Sequence, residues 1–117
     1  MKNITVYGLP NCDSTKSALK WLEKNAIKYS LHNYKTAGLS KEKLMEWCSK
    51  AGWQTLLNKR STTWRNTAPE VQQTITAEAP AVQLMLQQTS LVKRPVIETG
   101  NSLLLGFDEK LLEKKFL

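Results

Sequence analysis

Apolar and polar positions alternate at the start of the chain, where Ile4 and Val6 are flanked by polar or amphipathic neighbours, and Gly8-Leu9-Pro10-Asn11 then breaks the alternation. This pattern predicts a short strand over residues 3–7 followed by a turn. The period changes after Cys12. From Asp13 to about Asn25, Ala18, Leu19 and Leu22 mark one face of an amphipathic helix, Trp21 flanks it, and Lys16, Lys20 and Lys24 lie on another face. Asp13 suits the positive end of that helix. Alternation returns over residues 27–34, Ile27-Lys28-Tyr29-Ser30-Leu31-His32-Asn33-Tyr34, which predicts a second strand with one buried face. Strand, helix and strand at this spacing point to a parallel βαβ unit.

Ser40 caps a helix running to about Lys50. Leu39 and Leu44 have hydrophobic-staple spacing, Gly52 closes the end, and Leu44, Trp47, Cys48 and Ala51 form the inward stripe. Two further helical patterns lie between Ala68 and Gln88, interrupted near Thr76 to Pro80. After Pro95, Val96 and Ile97 begin a strand, Gly100-Asn101 supplies a turn, and Ser102 to Leu105 completes a hairpin. Asp108 caps the last helix, Phe107 and Leu112 again have staple spacing, and Leu111, Leu112 and Phe116 face the sheet. The order β-α-β, helical insert, β-β-α describes an α/β, thioredoxin-like fold with a mixed sheet. We expect one domain over residues 1–117, with the insert at about 40–90.

Composition narrows the classes of function. The 117 residues are 41% hydrophobic and 23% charged, as in ordinary globular proteins, and no apolar run approaches the ~18 residues of a membrane span. The first strand reaches its turn at Gly8 before a signal-peptide apolar region develops, so a cytoplasmic protein without membrane attachment is expected. The formal charge is +7, but the cationic residues are scattered apart from Lys114-Lys115 and the stretch Lys59 to Arg65. No aromatic RNA-binding signature accompanies them, so direct nucleic-acid binding is not expected. Two cysteines, Cys12 and Cys48, are too few and too far apart for a disulfide framework.

Cys12 follows a tight turn at a helix N-terminus, where unpaired backbone N–H groups and the positive end of the helix dipole stabilise a thiolate. The hydroxyls of Ser14 and Thr15 are available as donors to the sulfur anion, and Asp13 works weakly against it. The competing reading is an inert cysteine packed beneath the turn. Pro95 begins a strand and is a candidate cis residue shaping a cleft opposite Cys12, or a trans proline at a first strand position. Arg60, Arg65 and Arg94 are candidate anion clamps, because a guanidinium presents paired donors to carboxylate, phosphate or oxyanion. His32 reads as structural, Cys48 as core, and Cys12, His32 and Cys48 lack metal-ligand spacing, so no metal site is expected.

Taken together, Tyr7-Gly8-x-x-Asn11-Cys12-Asp13, the stretch from Gly52-Trp53 to Thr63-Trp64-Arg65, Lys93-Arg94-Pro95 and Leu105-Gly106-Phe107 give the chain a wider likeness. It resembles the arsenate reductase (ArsC)/Spx family of thioredoxin-like proteins, most closely its YffB branch, over nearly its whole length. The resemblance implies a redox or catalytic cysteine at Cys12 and a cis proline at Pro95. It implies substrate-binding roles for Asn11, Arg60, Arg65, Arg94 and Pro95. Arg94 matches one oxyanion-holding arginine of the arsenate reductases. A further arginine of that set is replaced around Leu105-Gly106-Phe107 by apolar residues and glycine, which points away from arsenate chemistry. Position 15 is threonine where Spx-type regulators commonly place the second cysteine of a Cys-x-x-Cys switch. The YffB branch implies a glutathione-dependent thiol reductase with no tightly bound cofactor, acting on glutathione or a glutathionylated substrate with glutaredoxin as a further partner. The alternative is an Spx-like regulator that binds RNA polymerase or another protein without catalysis.

Overall fold

The alternating segment that opens the chain becomes the second of four strands in a mixed sheet. The computed structural model describes residues 3–100 and 102–117. Its elements in chain order are β1 (Ile4–Gly8), α1 (Asp13–Lys24), β2 (Ser30–Asn33), α2 (Tyr34–Ala37), α3 (Lys41–Ala51), α4 (Trp53–Leu56), α5 (Thr62–Arg65), α6 (Pro69–Gln72) and α7 (Glu78–Gln87). A 3-10 turn (Thr89–Leu91), β3 (Val96–Thr99), β4 (Ser102–Leu105) and α8 (Glu109–Phe116) complete it. The chain forms two compact units, one running to Ala37 and resuming at Arg94, the other Gly38–Lys93.

In the first unit the sheet order is β2-β1-β3-β4. β1 pairs parallel with β2 and antiparallel with β3, and β3 pairs antiparallel with β4. This is the thioredoxin-like arrangement that the order of elements predicted. Val6 and Ile97 bring the sheet's side chains to a core completed by Ala18, Trp21 and Leu22 of α1 and Leu112 of α8. Trp21, expected at the flank of the helix, is a core residue, its ring centroid 6.3 Å from that of Phe116. On α8, Asp108 Oδ1 accepts from the Lys110 and Leu111 N–H groups at 3.0 and 3.3 Å, so the cap is as expected. Leu112 is buried, whereas Leu111 is 47% exposed. Adjacent helix positions lie about 100° apart, and a single turn of packing selects one of the pair.

The second strand is shorter than the alternation predicted. The Ala26 N–H donates to Glu23 O and the Ile27 N–H to Leu22 O, a Schellman closure of α1 with Ala26 at φ 57°. That cap consumes residues 25–27, so the ladder with β1 begins only at Thr5↔Ser30. Ile27 and Tyr29 still pack on the core from outside the strand, while Leu31 is 40% exposed on what is an edge strand. Tyr34, expected to end the strand, instead begins α2 and is buried. The expected turn position Asn101 lies outside the described residues, while Gly100 precedes it at φ 58°.

The second unit is built of helices joined by short loops, with one isolated antiparallel bridge between Leu57 and Val92. Ser40 Oγ accepts from the Lys43 N–H at 3.1 Å and Gly52, at φ 86°, ends α3. Leu44, Trp47 and Cys48 are buried, and α3 packs on α4 and α7. The helical pattern expected to break near Thr76 to Pro80 breaks slightly earlier, after Gln72, and Pro80 sits inside the first turn of α7. A missing N–H is harmless there, since the first-turn N–H groups have no intrahelical acceptor. The four-residue helices α4 and α5 were not foreseen, because one turn shows no periodicity.

Two substitutions test this packing. Gly8 faces Thr15 so closely that an added Cβ would lie 2.6 Å from Thr15 Oγ1. Gly8→Ala should therefore cost about 1–3 kcal/mol by denaturant titration, and Thr15→Ala in the same chain should recover part of that loss. Ala26→Gly should stabilise by about 0.5–1 kcal/mol, since glycine adopts positive φ without the Cβ penalty.

Candidate active site

The break after β1 is a turn in which the Cys12 N–H donates to Leu9 O at 2.9 Å. Cys12 then takes extended geometry (φ −85°, ψ 129°) as the N-cap of α1, its carbonyl accepting from the Lys16 N–H. An N-cap side chain ordinarily accepts hydrogen bonds from N–H groups two and three residues on. At this cap the group is a sulfur, partly exposed, and its side chain makes no cap hydrogen bond. The anionic form is the one that the position favours. Burial raises the thiol pKa and is the largest single influence. The Thr15 N–H, the Thr15 hydroxyl, the Ser14 N–H and the charge of Arg94 together outweigh it, so the Cys12 pKa is lowered.

Sheet register explains why these groups meet. Gly8 pairs with Asn33, Tyr7 pairs with Val96, and the Gly106 N–H donates to Pro95 O at 2.8 Å. Asn33, Gly8, Pro95 and Gly106 thus cross the same end of the sheet, and the chain leaves it through Tyr34, towards Cys12, and at Arg94. The Arg94-Pro95 peptide bond is cis, resolving the two readings of Pro95. Arg94 is half-buried, and its Nε is buried without a hydrogen-bond partner. Tyr34 was not foreseen as a site residue. Burial pushes its phenol pKa well up, Arg94 opposes that, and Cys12 adds to it, so Tyr34 stays protonated beside both. The signal available in the sequence was its place just past a parallel strand's C-terminal end, where α/β sheets gather their functional groups.

Asn11 is exposed in the turn before Cys12. Arg60 and Arg65 belong to the helical unit and are both exposed. The Arg60 N–H donates to Asn58 Oδ1 at 3.2 Å, and Arg60 lines a recess of about 360 Å³ with Gln54, Leu57, Asn58, Lys59 and Lys93. Arg65 ends α5, with Lys59 Nζ lying 5.7 Å from the ring centroid of neighbouring Trp64. His32 packs against Tyr7, ring centroids 4.8 Å apart. Cys48 is buried in the helical unit, and burial, reinforced by Glu78, pushes its pKa up to about 11. Among the described residues no group of three His, Cys, Asp or Glu side chains is placed to hold a metal ion, and no helix is long and apolar enough to cross a membrane.

A family model described as the ArsC family matches residues 7–114. Among solved structures, the YffB protein superposes with a TM-score of 0.93 at 37% identity, covering 98% of this chain and all of that one. An arsenate reductase (ArsC) related protein from Brucella melitensis superposes with a TM-score of 0.78 at 41% identity, covering 97% of this chain and 94% of the other. The global transcriptional regulator Spx of Streptococcus agalactiae serotype V is 30% identical over 108 residues, 91% of this chain and 77% of Spx.

The two thiols should respond to pH in opposite senses. Folding lowers the Cys12 pKa, so the folded chain binds fewer protons there. Its contribution to stability is complete above the unfolded thiol value of ~8.5 and lost as pH falls through the folded value. Cys48 holds its proton to about 11 when folded. Its contribution is full below ~8.5 and fades as pH rises towards 11. Urea titrations across pH 6–10 (a window set by these pKa values) should show that Cys12→Ser flattens the lower part of the stability profile. Cys48→Ala should flatten the alkaline part, and iodoacetamide on the native protein should label Cys12 first.

Proposed function

The chain belongs to the ArsC family, and on that premise we propose that it is a glutathione-dependent thiol-disulfide reductase working through the thiolate of Cys12. The observation that carries this reading is a partly exposed thiol of lowered pKa at the N-cap of α1, influenced by a half-buried arginine. Cys12 attacks the glutathione sulfur of a mixed disulfide, forming a Cys12–glutathione disulfide and expelling the substrate thiolate. A second glutathione thiolate then attacks the glutathione sulfur on Cys12, releasing oxidised glutathione and restoring the Cys12 thiolate. The two steps balance, with the substrate disulfide reduced and two glutathione moieties joined. In this proposal Arg94 holds a glutathione carboxylate, while Asn11 and Pro95 border the bound peptide.

Two features of the chain favour this chemistry over its relatives' alternatives. Both cysteines are free thiols and Cys48 is buried, so the resolving thiol comes from another molecule. The segment Leu105-Gly106-Phe107 supplies no third arginine for an oxyanion. The likeness to Spx supports a second reading, a regulator that binds RNA polymerase with Cys12 idle. In that case Cys12→Ser would keep full cellular function and the protein would capture a polymerase subunit.

The reductase reading is tested by incubating the protein with oxidised glutathione and weighing it, then following turnover of a glutathionylated peptide with excess glutathione. Wild type should gain one glutathione at Cys12 and turn over, and Cys12→Ser should do neither. An unmodified wild type whose turnover equals that of Cys12→Ser would sink the proposal. Arg94→Ala should reduce the rate of glutathionylation by about tenfold or more, the loss of one charge-assisted contact, with little change in unfolding midpoint.

A further inference from the structure

Thr15 is the third residue of α1 and Cys12 is its N-cap, so the two side chains hold the positions at which a helix's first turn allows reciprocal contact. Thr15 is fully buried, and its Oγ1 has no hydrogen-bond partner. Space around it is tight, because the backbone of Gly8 closes one side to the point where a methyl group would not fit. A buried hydroxyl without a partner is costly unless some state of the protein supplies an acceptor. A thiol sulfur is a weak acceptor and a thiolate is a strong one.

Resting on the reading of Cys12 as nucleophile, we propose that Thr15 is a positioning residue whose buried hydroxyl donates to the Cys12 sulfur whenever that sulfur is anionic, and so acts in both halves of the exchange. In the first half it holds the attacking thiolate in place. In the mixed disulfide the Cys12 sulfur is neutral and the hydroxyl loses its acceptor. When the second thiolate attacks the glutathione sulfur, the electron pair of the breaking S–S bond passes to Cys12 Sγ, which leaves as a thiolate and regains the hydroxyl. The same bond therefore stabilises Cys12 as the leaving group and disfavours the resting mixed disulfide. A threonine where a dithiol protein places its second cysteine thus keeps a donor at that position while removing the local disulfide partner. The Thr15 hydroxyl ranks just behind its own N–H among the groups that favour the Cys12 anion, ahead of Arg94. The other titratable groups around the sulfur are Tyr34, protonated, and Asp13, exposed on the same helix.

Thr15→Val keeps the shape and removes the hydroxyl, while Thr15→Ser keeps the hydroxyl and removes the methyl. Two measurements on each variant separate the possibilities: the pH profile of iodoacetamide alkylation at Cys12, and the fraction of Cys12 glutathionylated in buffers of fixed reduced-to-oxidised glutathione ratio. Thr15→Val should move the alkylation midpoint up by about one pH unit, a tenfold change in thiolate stability, and make the mixed disulfide about tenfold harder to reduce. Thr15→Ser should stay within about twofold of wild type, a difference smaller than one hydrogen bond makes. An unmoved midpoint in Thr15→Val overturns the inference, as does an equal shift in Thr15→Ser, which would assign the effect to methyl packing. If the alkylation midpoint shifts but wild-type Cys12 never accepts glutathione, the hydroxyl–sulfur bond stands and the reductase reading fails.

Discussion

The close approach of β1 to the first turn of α1 governs the rest of this molecule. Gly8 has no side chain, and Thr15 fills the space where one would be. That contact sets the helix N-terminus against the end of the sheet, with Cys12 as its N-cap. Once the helix starts there, its unpaired N–H groups point at a sulfur rather than at water. The chemistry of the site follows from where a helix begins.

Register does the remaining work. A parallel partner on one side of β1 and an antiparallel one on the other mean that β2 ends, and β3 begins, at the same edge as Gly8. Tyr34 and Arg94, sixty residues apart in sequence, are delivered there by strand pairing alone. Arg94 brings a permanent charge and Tyr34 a protonated phenol, and between them they give the Cys12 sulfur a cationic and a neutral neighbour. Cys48 shows what the same side chain becomes elsewhere. Buried in the helical unit, it meets desolvation and Glu78 and no compensating donor, and its pKa moves in the opposite direction.

Membership of the ArsC family fits this construction, because the family model spans residues 7–114, from before the Cys12 turn into α8. Position 15, the third residue of α1, is a threonine rather than a second cysteine, with its side chain buried. The Gly106 N–H donates to Pro95 O at 2.8 Å, extending the pairing of β4 with β3.

The sequence alone determined the features that depend on neighbours a few residues away. The strand–turn–helix around Cys12, the Ser40 and Asp108 caps, the hairpin, the order of elements and the thiol at a helix start all arise from local periodicity and turn chemistry. Only the tertiary structure decided the rest. The length of β2 was set by the cap that closes α1, and the choice of Leu112 over Leu111 and the burial of Trp21 by packing against the sheet. The short helices α4 and α5 carry too few residues to show a period. Tyr34 read as one more alternating strand residue until pairing placed it beside Cys12 and Arg94. The local pattern left the isomer of Pro95 open, and the fold has it cis, as the family resemblance implied. Each of these is settled by a partner distant along the chain, which a local pattern does not contain.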